Sequence, residues 1–351
     1  MKKSILIFIC VFTFTFSTKA QDGFENILLA NSSDTNKLMK AYFTPAMEGL
    51  IYGMNNGWYH TAKVHKKFGF DLTIGLSAAM VPTEKELFSI SALGLTSVTS
   101  SKSNASTFAG PNTPTIFTVT KTVTINDPSL PANGQSRTVT ANFETPGGAT
   151  EDFPLNAVPA PVAQLNIGLP FKIEAMVRFF PKTNLGDEML GLGIKKEITS
   201  WFGPLDKLPL HVSLLAAYTS MDVNYDFPNS NPGDPLQITN ASANFELRSY
   251  TAQVIASLNF PFINVYGGIG YSGGTSKFKM SGTYEGEFTY NEGEQSYAYS
   301  ETLTPPNMEF DASGVKTTLG ARISLGFFKI FADYTLQEYN TVSAGVAISF
   351  R

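Results

Sequence analysis

The chain has 351 residues, of which 43% are hydrophobic, 13% aromatic and 15% charged, with a formal net charge of −4. A protein that binds nucleic acid usually carries a basic stripe, and this chain has none. A single cysteine, Cys10, excludes a fold held together by internal disulfides.

Residues 1–20 predict a secretory signal peptide that is removed, rather than an anchor. Lys2 and Lys3 precede an apolar run that ends at Phe16, and Ala20 supplies the small residue of a cleavage site. No later run of about 18 uncharged apolar residues occurs. If the protein enters a membrane, it therefore does so as a closed barrel, because only helices and barrels satisfy every backbone group in lipid.

Residues 21–57 predict two short helices. Ser33 or Asp34 could cap the first helix, and Thr44 with Pro45 at the first position starts the second. The segment is either a plug, inside the barrel or at its periplasmic mouth, or a helix pair on the periplasmic rim. As a plug it offers an apolar set of candidate ligand-binding residues, namely Leu50, Ile51 and Met54.

Residues 58–351 predict an all-β fold, an antiparallel transmembrane barrel. From Phe68 to Met80 apolar residues alternate with small and polar ones, the pattern of a strand with lipid outside and a lumen inside. The last strand, from Asn340 to Phe350, has the same pattern. We expect about fourteen strands, or twelve if a hairpin between residues 81 and 160 stays outside the membrane.

The connections after residue 160 alternate in length. Short turns lie near Pro170, Pro261 and Gly326, whereas residues 222–244 and 275–314 form long connections. In outer-membrane barrels the short turns are periplasmic and the long loops extracellular.

Charged residues are predicted to point into the lumen by their phase in the strands. They serve either as a polar track or plug anchor, or as an ion-pair network that fills a closed lumen. The set is Lys172, Glu174, Arg178, Lys316, Arg322, Lys329 and Asp333. Four of these complete the candidate ligand-binding residues: Lys172, Glu174, Arg178 and Arg322.

Catalysis and metal binding are not expected. His60 and His65 would lie on opposite faces of a regular strand, so they cannot chelate one metal ion. No nucleophile motif surrounds any serine. We therefore predict no enzyme activity, no catalytic residue and no cofactor.

Two stretches resemble known families. Phe43-Thr44-Pro45-Ala46, followed by Gly49, Gly53 and Gly57, resembles the Asn-Pro-Ala motif of FadL-like long-chain fatty acid transporters, with Thr44 replacing asparagine. The stretch from Gly57 to Leu72 is similar to an uncharacterised family of predicted outer-membrane barrels from Bacteroidota. The first resemblance implies fourteen strands, an N-terminal hatch and sideways release of hydrophobic molecules through the wall.

The resulting hypothesis is a bacterial outer-membrane barrel, in contact with lipid, that takes up hydrophobic small molecules in the FadL-like manner. An apolar pocket beside the plug and an opening in the wall would support it. A lumen filled with charged side chains would favour the alternative, a non-transporting barrel that acts as a scaffold or surface-interaction protein through its long loops. A soluble secreted β-sandwich is a third alternative.

Overall fold

The computed structural model describes residues 23–149, 153–180, 189–231 and 233–350. The fold is mostly β, with one α-helix, α1 (Ser32–Met54), and short 3-10 segments such as Phe24–Leu29 and Thr199–Lys207. The strands are β1 (Phe70–Met80), β2 (Leu87–Ser89), β3 (Val98–Thr99), β4 (Asn104–Ser106), β5 (Thr115–Thr124), β6 (Ser136–Thr145), β7 (Ala157–Leu169), β8 (Ile173–Phe180), β9 (Met189–Glu197), β10 (Leu210–Asp226), β11 (Leu236–Asn259), β12 (Ile263–Glu292), β13 (Gln295–Leu303), β14 (Asn307–Leu325), β15 (Phe328–Leu336) and β16 (Thr341–Phe350).

The predicted β-barrel is confirmed, and the described residues form one antiparallel sheet of fourteen strands, the number expected from the sequence. Ten of these strands close a ring in the order β1, β7, β8, β9, β10, β11, β12, β14, β15, β16. The first and last strands pair along their length, from Phe70 opposite Phe350 to Ala79 opposite Thr341. The other four, β3, β5, β6 and β13, extend the sheet beyond the ring, so the wall itself has fewer strands than the sheet.

The two faces of the wall differ as the alternation predicts. On β14, Val315 and Leu319 point outward with 76% and 68% of their surface exposed, whereas Lys316 and Thr318 point inward and are buried. On β1, Leu72 is exposed and Asp71 is buried. The outer surface is therefore an apolar band, and the polar side chains line the lumen.

The two ends of the ring also differ. One end, here called the short-turn end, carries brief connections such as Pro170–Lys172 and the turn at Gly326. The opposite end, the long-loop end, carries the connection from β1 to β7 and the projecting parts of β10 to β14.

A folded cap covers the long-loop end. We define the cap as residues 23–43, 81–149, 227–243 and 278–310. Its core is a hydrophobic cluster that includes Ile27, Leu38, Phe117, Val139, Tyr284 and Phe288. Because a cluster of this kind excludes water from both loop and strand segments, the long connections form a structured domain rather than separate loops.

Helix α1 corrects the prediction of two short helices. It runs unbroken from Ser32 to Met54, and its cap is Asn31, whose Oδ1 accepts a hydrogen bond of 2.8 Å from the amide of Asp34. Pro45 lies inside the helix, where it removes one backbone hydrogen bond. The burial of the flanking turns against the cap and the wall offsets this cost, since packing overrides local propensity. Among the described residues, no helix is both long enough and apolar enough to cross a membrane.

Helix α1 lies inside the ring. It contacts strands from several sides of the wall, namely β1, β7, β11, β12 and β14. It starts in the cap at the long-loop end and descends into the lumen, and residues 55–69 continue to the short-turn end as irregular chain. The wall therefore begins at Phe70 and not at Trp58, because residues 58–69 belong to the plug. We call residues 44–69 the plug.

Candidate functional site in the barrel lumen

A row of three glycines lets the plug approach strand β7 closely. A Cβ atom on Gly49 would come within 2.9 Å of Val158, and one on Gly53 within 3.0 Å of Ala160. Gly57 faces the next inward position of β7 in the same way. Four residues of a helix rise about 6 Å, and two residues of a strand rise about 6.6 Å. Every fourth residue of the plug therefore meets every second residue of β7. The glycines singled out by the FadL-like resemblance therefore have a packing role here.

Two buried cations hold the end of helix α1. Arg178 donates from Nη1 to the carbonyl of Met54 (3.0 Å) and from Nη2 to that of Asn56 (2.8 Å). Lys316 donates from Nζ to the carbonyl of Asn55 (2.9 Å) and to Oδ1 of Asn56 (2.5 Å). The C-terminal end of a helix carries partial negative charge and unpaired carbonyls, so cations placed there satisfy both.

The two cations are fully buried, and neither forms an ion pair with a carboxylate among the described residues. Arg178 instead donates from Nε to Gln164 (2.8 Å) and lies 3.9 Å from the ring centre of Trp58. A buried charge is costly unless it is well hydrogen-bonded. Removal of the plug would leave both cations without these partners, so the lumen is built to hold it.

Trp58 and Tyr59 fill the lumen below the helix. A Cβ on Gly191 or Gly193 would come within 3.0 or 3.1 Å of the Trp58 ring. A Cβ on Gly268 would come within 2.5 Å of the Tyr59 hydroxyl. Inward glycines of the wall thus leave room for the large side chains of the plug.

A polar network fixes the plug at the short-turn end. His65 Nδ1 lies 2.7 Å from Glu174, and Lys195 Nζ lies 2.6 Å from the other oxygen of that carboxylate. His65 Nε2 lies 3.2 Å from the Ser349 hydroxyl on the last strand. The network therefore links the plug to both β8 and β16.

His60 and His65 were expected on opposite faces of a strand, and the structure corrects this. Both belong to the irregular part of the plug, and their Nε2 atoms lie 3.4 and 3.3 Å from the same oxygen of Asp71. His60 Nδ1 also lies 3.0 Å from Arg322. Within the described ranges, no group of three or more histidine, cysteine or acidic residues has the arrangement of a metal site.

A third cluster joins the plug to the long-loop end. Lys85 lies 2.7 Å from Glu48 of helix α1 and 2.6 Å from Glu338 in the β15–β16 connection. Tyr52 donates to Glu338 (2.9 Å), and Tyr339 donates to Glu48 (2.6 Å). The hydrogen bond from Lys85 holds the pKa of Glu338 below its usual value.

The structure gathers most of the predicted site residues around the plug. Glu174, Arg178 and Arg322 contact it directly. Lys172 instead lies in a turn at the short-turn end, with 45% of its side chain exposed and 3.4 Å from Glu197. The prediction that Lys172 points into the lumen was wrong because Pro170–Lys172 forms a 3-10 turn before β8 begins.

The apolar candidates are packed rather than open. Ile51 and Met54 are fully buried in a cluster with Ala79, Ala160 and Leu247 of the wall, and Leu50 packs at its edge. Sequence reasoning missed Trp58, Asp71 and Lys195 as plug contacts. The inward glycines at 191, 193 and 268 are the signal that could have shown that a bulky segment occupies the lumen.

Comparisons with known proteins add a family and a set of structural neighbours. The profile of a family described as "Family of unknown function (DUF6588)" matches residues 1–350. No curated protein matches the chain.

Similar solved structures include three bacterial proteins. The attachment invasion locus protein Ail of Yersinia pestis is 9% identical with a TM-score of 0.27, over 81% of this chain and 100% of that one. The translocator domain of the autotransporter NalP from Neisseria meningitidis is 11% identical with a TM-score of 0.27, over 82% and 90%. The outer-membrane protease OmpT from Escherichia coli is 10% identical with a TM-score of 0.26, over 82% and 99%.

Proposed function

The chain belongs to this family of unknown function, and we propose that it is an outer-membrane β-barrel closed by its own plug, which acts at the cell surface through its cap. The observation that carries the proposal is the filled lumen. Trp58, Arg178, Lys195 and Lys316 are all fully buried there.

The outer surface supports a place in lipid. A closed ring leaves no unpaired strand edge in the wall, and the outward side chains form an apolar band. Large exposed aromatic residues collect at the short-turn end, as expected at a membrane interface. They are Phe171, Trp201, Phe260, Phe262 and Phe327. This end then faces the periplasm, and the cap faces outward.

The closed lumen supports a surface role over a channel. A solute would have to displace the plug from Arg178, Lys316 and the His65 network, and each of these contacts is buried or nearly so. The cap, by contrast, is a folded domain with its own core. We infer that the barrel anchors the cap in the membrane.

Electrical recording tests the closed state. The purified protein in a planar bilayer is expected to carry no steady current at low voltage. Stable current steps from the unmodified protein would contradict the proposal. An open barrel of known conductance in the same bilayers serves as the positive control.

Uptake of hydrophobic molecules is the second candidate function. The apolar cluster around Ile51, Met54 and Leu247 in the upper lumen favours it, as does the FadL-like resemblance. This route requires the plug to move away from the wall. A crosslink that prevents this movement distinguishes the two candidate functions.

Cysteines at Gly53 and Ala79 of β1 provide such a crosslink, because a Cβ on Gly53 would lie 3.8 Å from that of Ala79, the usual Cβ separation in a disulfide. Cys10, in the predicted signal peptide, is the chain's only natural cysteine. Uptake of a fluorescent fatty acid that stops on oxidation and returns with reductant would support transport. Equal uptake in cells with and without the protein supports the closed barrel.

A further inference from the structure

A groove on the cap lies apart from the barrel lumen. Its first wall is the two-stranded ribbon of β2 and β4, in which Leu87 pairs with Ser106 and Ser89 with Asn104. Since directly paired residues share a face of a ribbon, Leu87, Asn104 and Ser106 face the same way. The second wall is the segment from Pro111 to Thr115, and the groove has a volume of about 310 Å³.

The groove carries one cation at its edge. Lys102 lines it, and its Nζ donates to the carbonyl of Pro114 at 2.7 Å, which draws the side chain toward the second wall. An ammonium group has three N–H donors, so this contact leaves donors for a ligand. No acidic residue lines the groove within the described part of the chain. The electrostatics therefore favour an anionic ligand over a cationic one.

The remaining lining combines apolar and hydroxyl groups. Leu87 and Pro111 supply apolar surface, while Asn104, Thr113 and Thr115 supply an amide and two hydroxyls. This combination suits a compact molecule with a C–H face and several hydroxyl groups. The volume lies at the lower end of ligand sites, which run from about 300 to 1,000 Å³.

Ser106 lines the groove without presenting a free hydroxyl to it. Its side chain is 3% exposed, and its hydroxyl is buried beneath the surface. A ligand in the groove therefore meets the exposed residues Asn104 and Thr113 rather than this hydroxyl.

We propose that this groove binds a sugar acid of monosaccharide size, such as a uronate. Its carboxylate pairs with Lys102, its hydroxyls bond to Asn104 and Thr113, and its C–H face packs on Leu87 and Pro111. The proposal gives a ligand class to the cap of the proposed surface protein. It concerns the cap alone, so its failure leaves the closed barrel untouched.

Calorimetry of the purified full-length protein in detergent tests the site. The probes are D-glucuronate and, as a neutral match, D-glucose. We expect saturable binding of glucuronate and at least tenfold weaker binding of glucose, because a charge-assisted hydrogen bond is lost.

Two variants assign the binding to the groove. Lys102→Met removes the cation and keeps the stem, and Asn104→Leu removes the exposed amide and keeps a side chain of similar size. Both are expected to weaken glucuronate binding about tenfold or more. Lys37→Met is the matched control, because Lys37 also donates to a cap carbonyl, that of Gly94 (2.7 Å), away from the groove.

Three results would overturn the proposal. They are the absence of saturable glucuronate binding at millimolar concentration, equal binding of glucose, and equal loss in the Lys102 and Lys37 variants. The melting temperature of each variant shows whether the cap is still folded.

Discussion

The guanidinium of Arg178 donates to the carbonyl of Asn56 across the barrel lumen, at 2.8 Å. With its bond to Met54, it holds two carbonyls at the end of helix α1. Arg178→Met removes both bonds, and each buried carbonyl left without a partner costs about 1–3 kcal/mol. We expect the plug to loosen and the variant to show current steps in planar bilayers.

Arg248→Met is the matched control for this measurement. Arg248 pairs with Asp222 at 3.2 Å and its side chain is 40% exposed, so its loss leaves the plug in place. Silent recordings from Arg178→Met, combined with an unchanged melting temperature, would show that the guanidinium does not hold the plug.

Gly193 must stay small because Trp58 lies over it. Gly193→Val places a Cβ where the ring is 3.1 Å away, and overpacking of this kind costs about 1–3 kcal/mol. The ring is expected to shift toward water. The chain has two tryptophans, so in a Trp201→Phe background the emission of Trp58 reports the shift as a move to longer wavelength.

A double variant isolates the contact between the two residues. Trp58→Ala relieves the crowding, so Gly193→Val should cost less in that background than alone. Ile194→Ala serves as the outward-facing control, since Ile194 is 52% exposed on the wall. Additive losses in melting temperature would show that the ring and the glycine do not interact.

Asp34 should make the cap sensitive to acid. Burial alone would raise its pKa, but hydrogen bonds from Ser97 and Thr96 hold the pKa below the usual 3.8. The carboxylate accepts 2.6 Å and 2.9 Å bonds from the amides of Ser97 and Thr96. Asp34→Asn is expected to lose about 1.5–3 kcal/mol at pH 7.

The pH dependence follows from the lowered pKa. Asp34 stabilises the folded state fully above the ordinary value of 3.8, and this contribution disappears as the pH falls through the lower folded value. The gap in melting temperature between the native protein and Asp34→Asn should therefore be largest near neutral pH and shrink below pH 3.8. A gap that stays constant with pH would contradict the role of the charge.

Labelling of single cysteines tests the orientation of the barrel. Ser33 is exposed in the cap, and Lys67 is exposed at the short-turn end. A membrane-impermeant maleimide is expected to label Ser33→Cys on intact cells, and Lys67→Cys only after the outer membrane is permeabilised. The reverse pattern would place the cap in the periplasm.

Alternation of apolar and polar residues was enough to predict the wall. Strands with one face in lipid need an apolar residue at every second position, and β1, β14 and β16 show this without interruption for most of their length. The inward direction of Glu174, Arg178 and Lys316 follows from the same phase. These residues were predicted because local spacing alone determines which face they occupy.

The plug could not be predicted in this way. Pro45 and Thr44 have the local features of a helix start, and only the packing of both flanking turns makes α1 continuous. The sequence from Trp58 to Phe68 predicts the start of a strand. Its side chains instead contact residues from distant parts of the chain, such as Gly193, Glu174 and Ser349. Contacts of such long sequence separation leave no local pattern.

The route of the plug has a consequence for assembly. Helix α1 begins in the cap at one end of the ring, and its chain leaves at the other end directly into β1. Residues 44–69 thus run through a ring that is sealed by the pairing of β1 with β16, and the residues before them lie in the cap beyond it. Threading a folded helix and cap through a finished ring would disrupt most of their contacts. The topology therefore favours an order of folding in which the plug occupies its place before the β1–β16 seam closes around it.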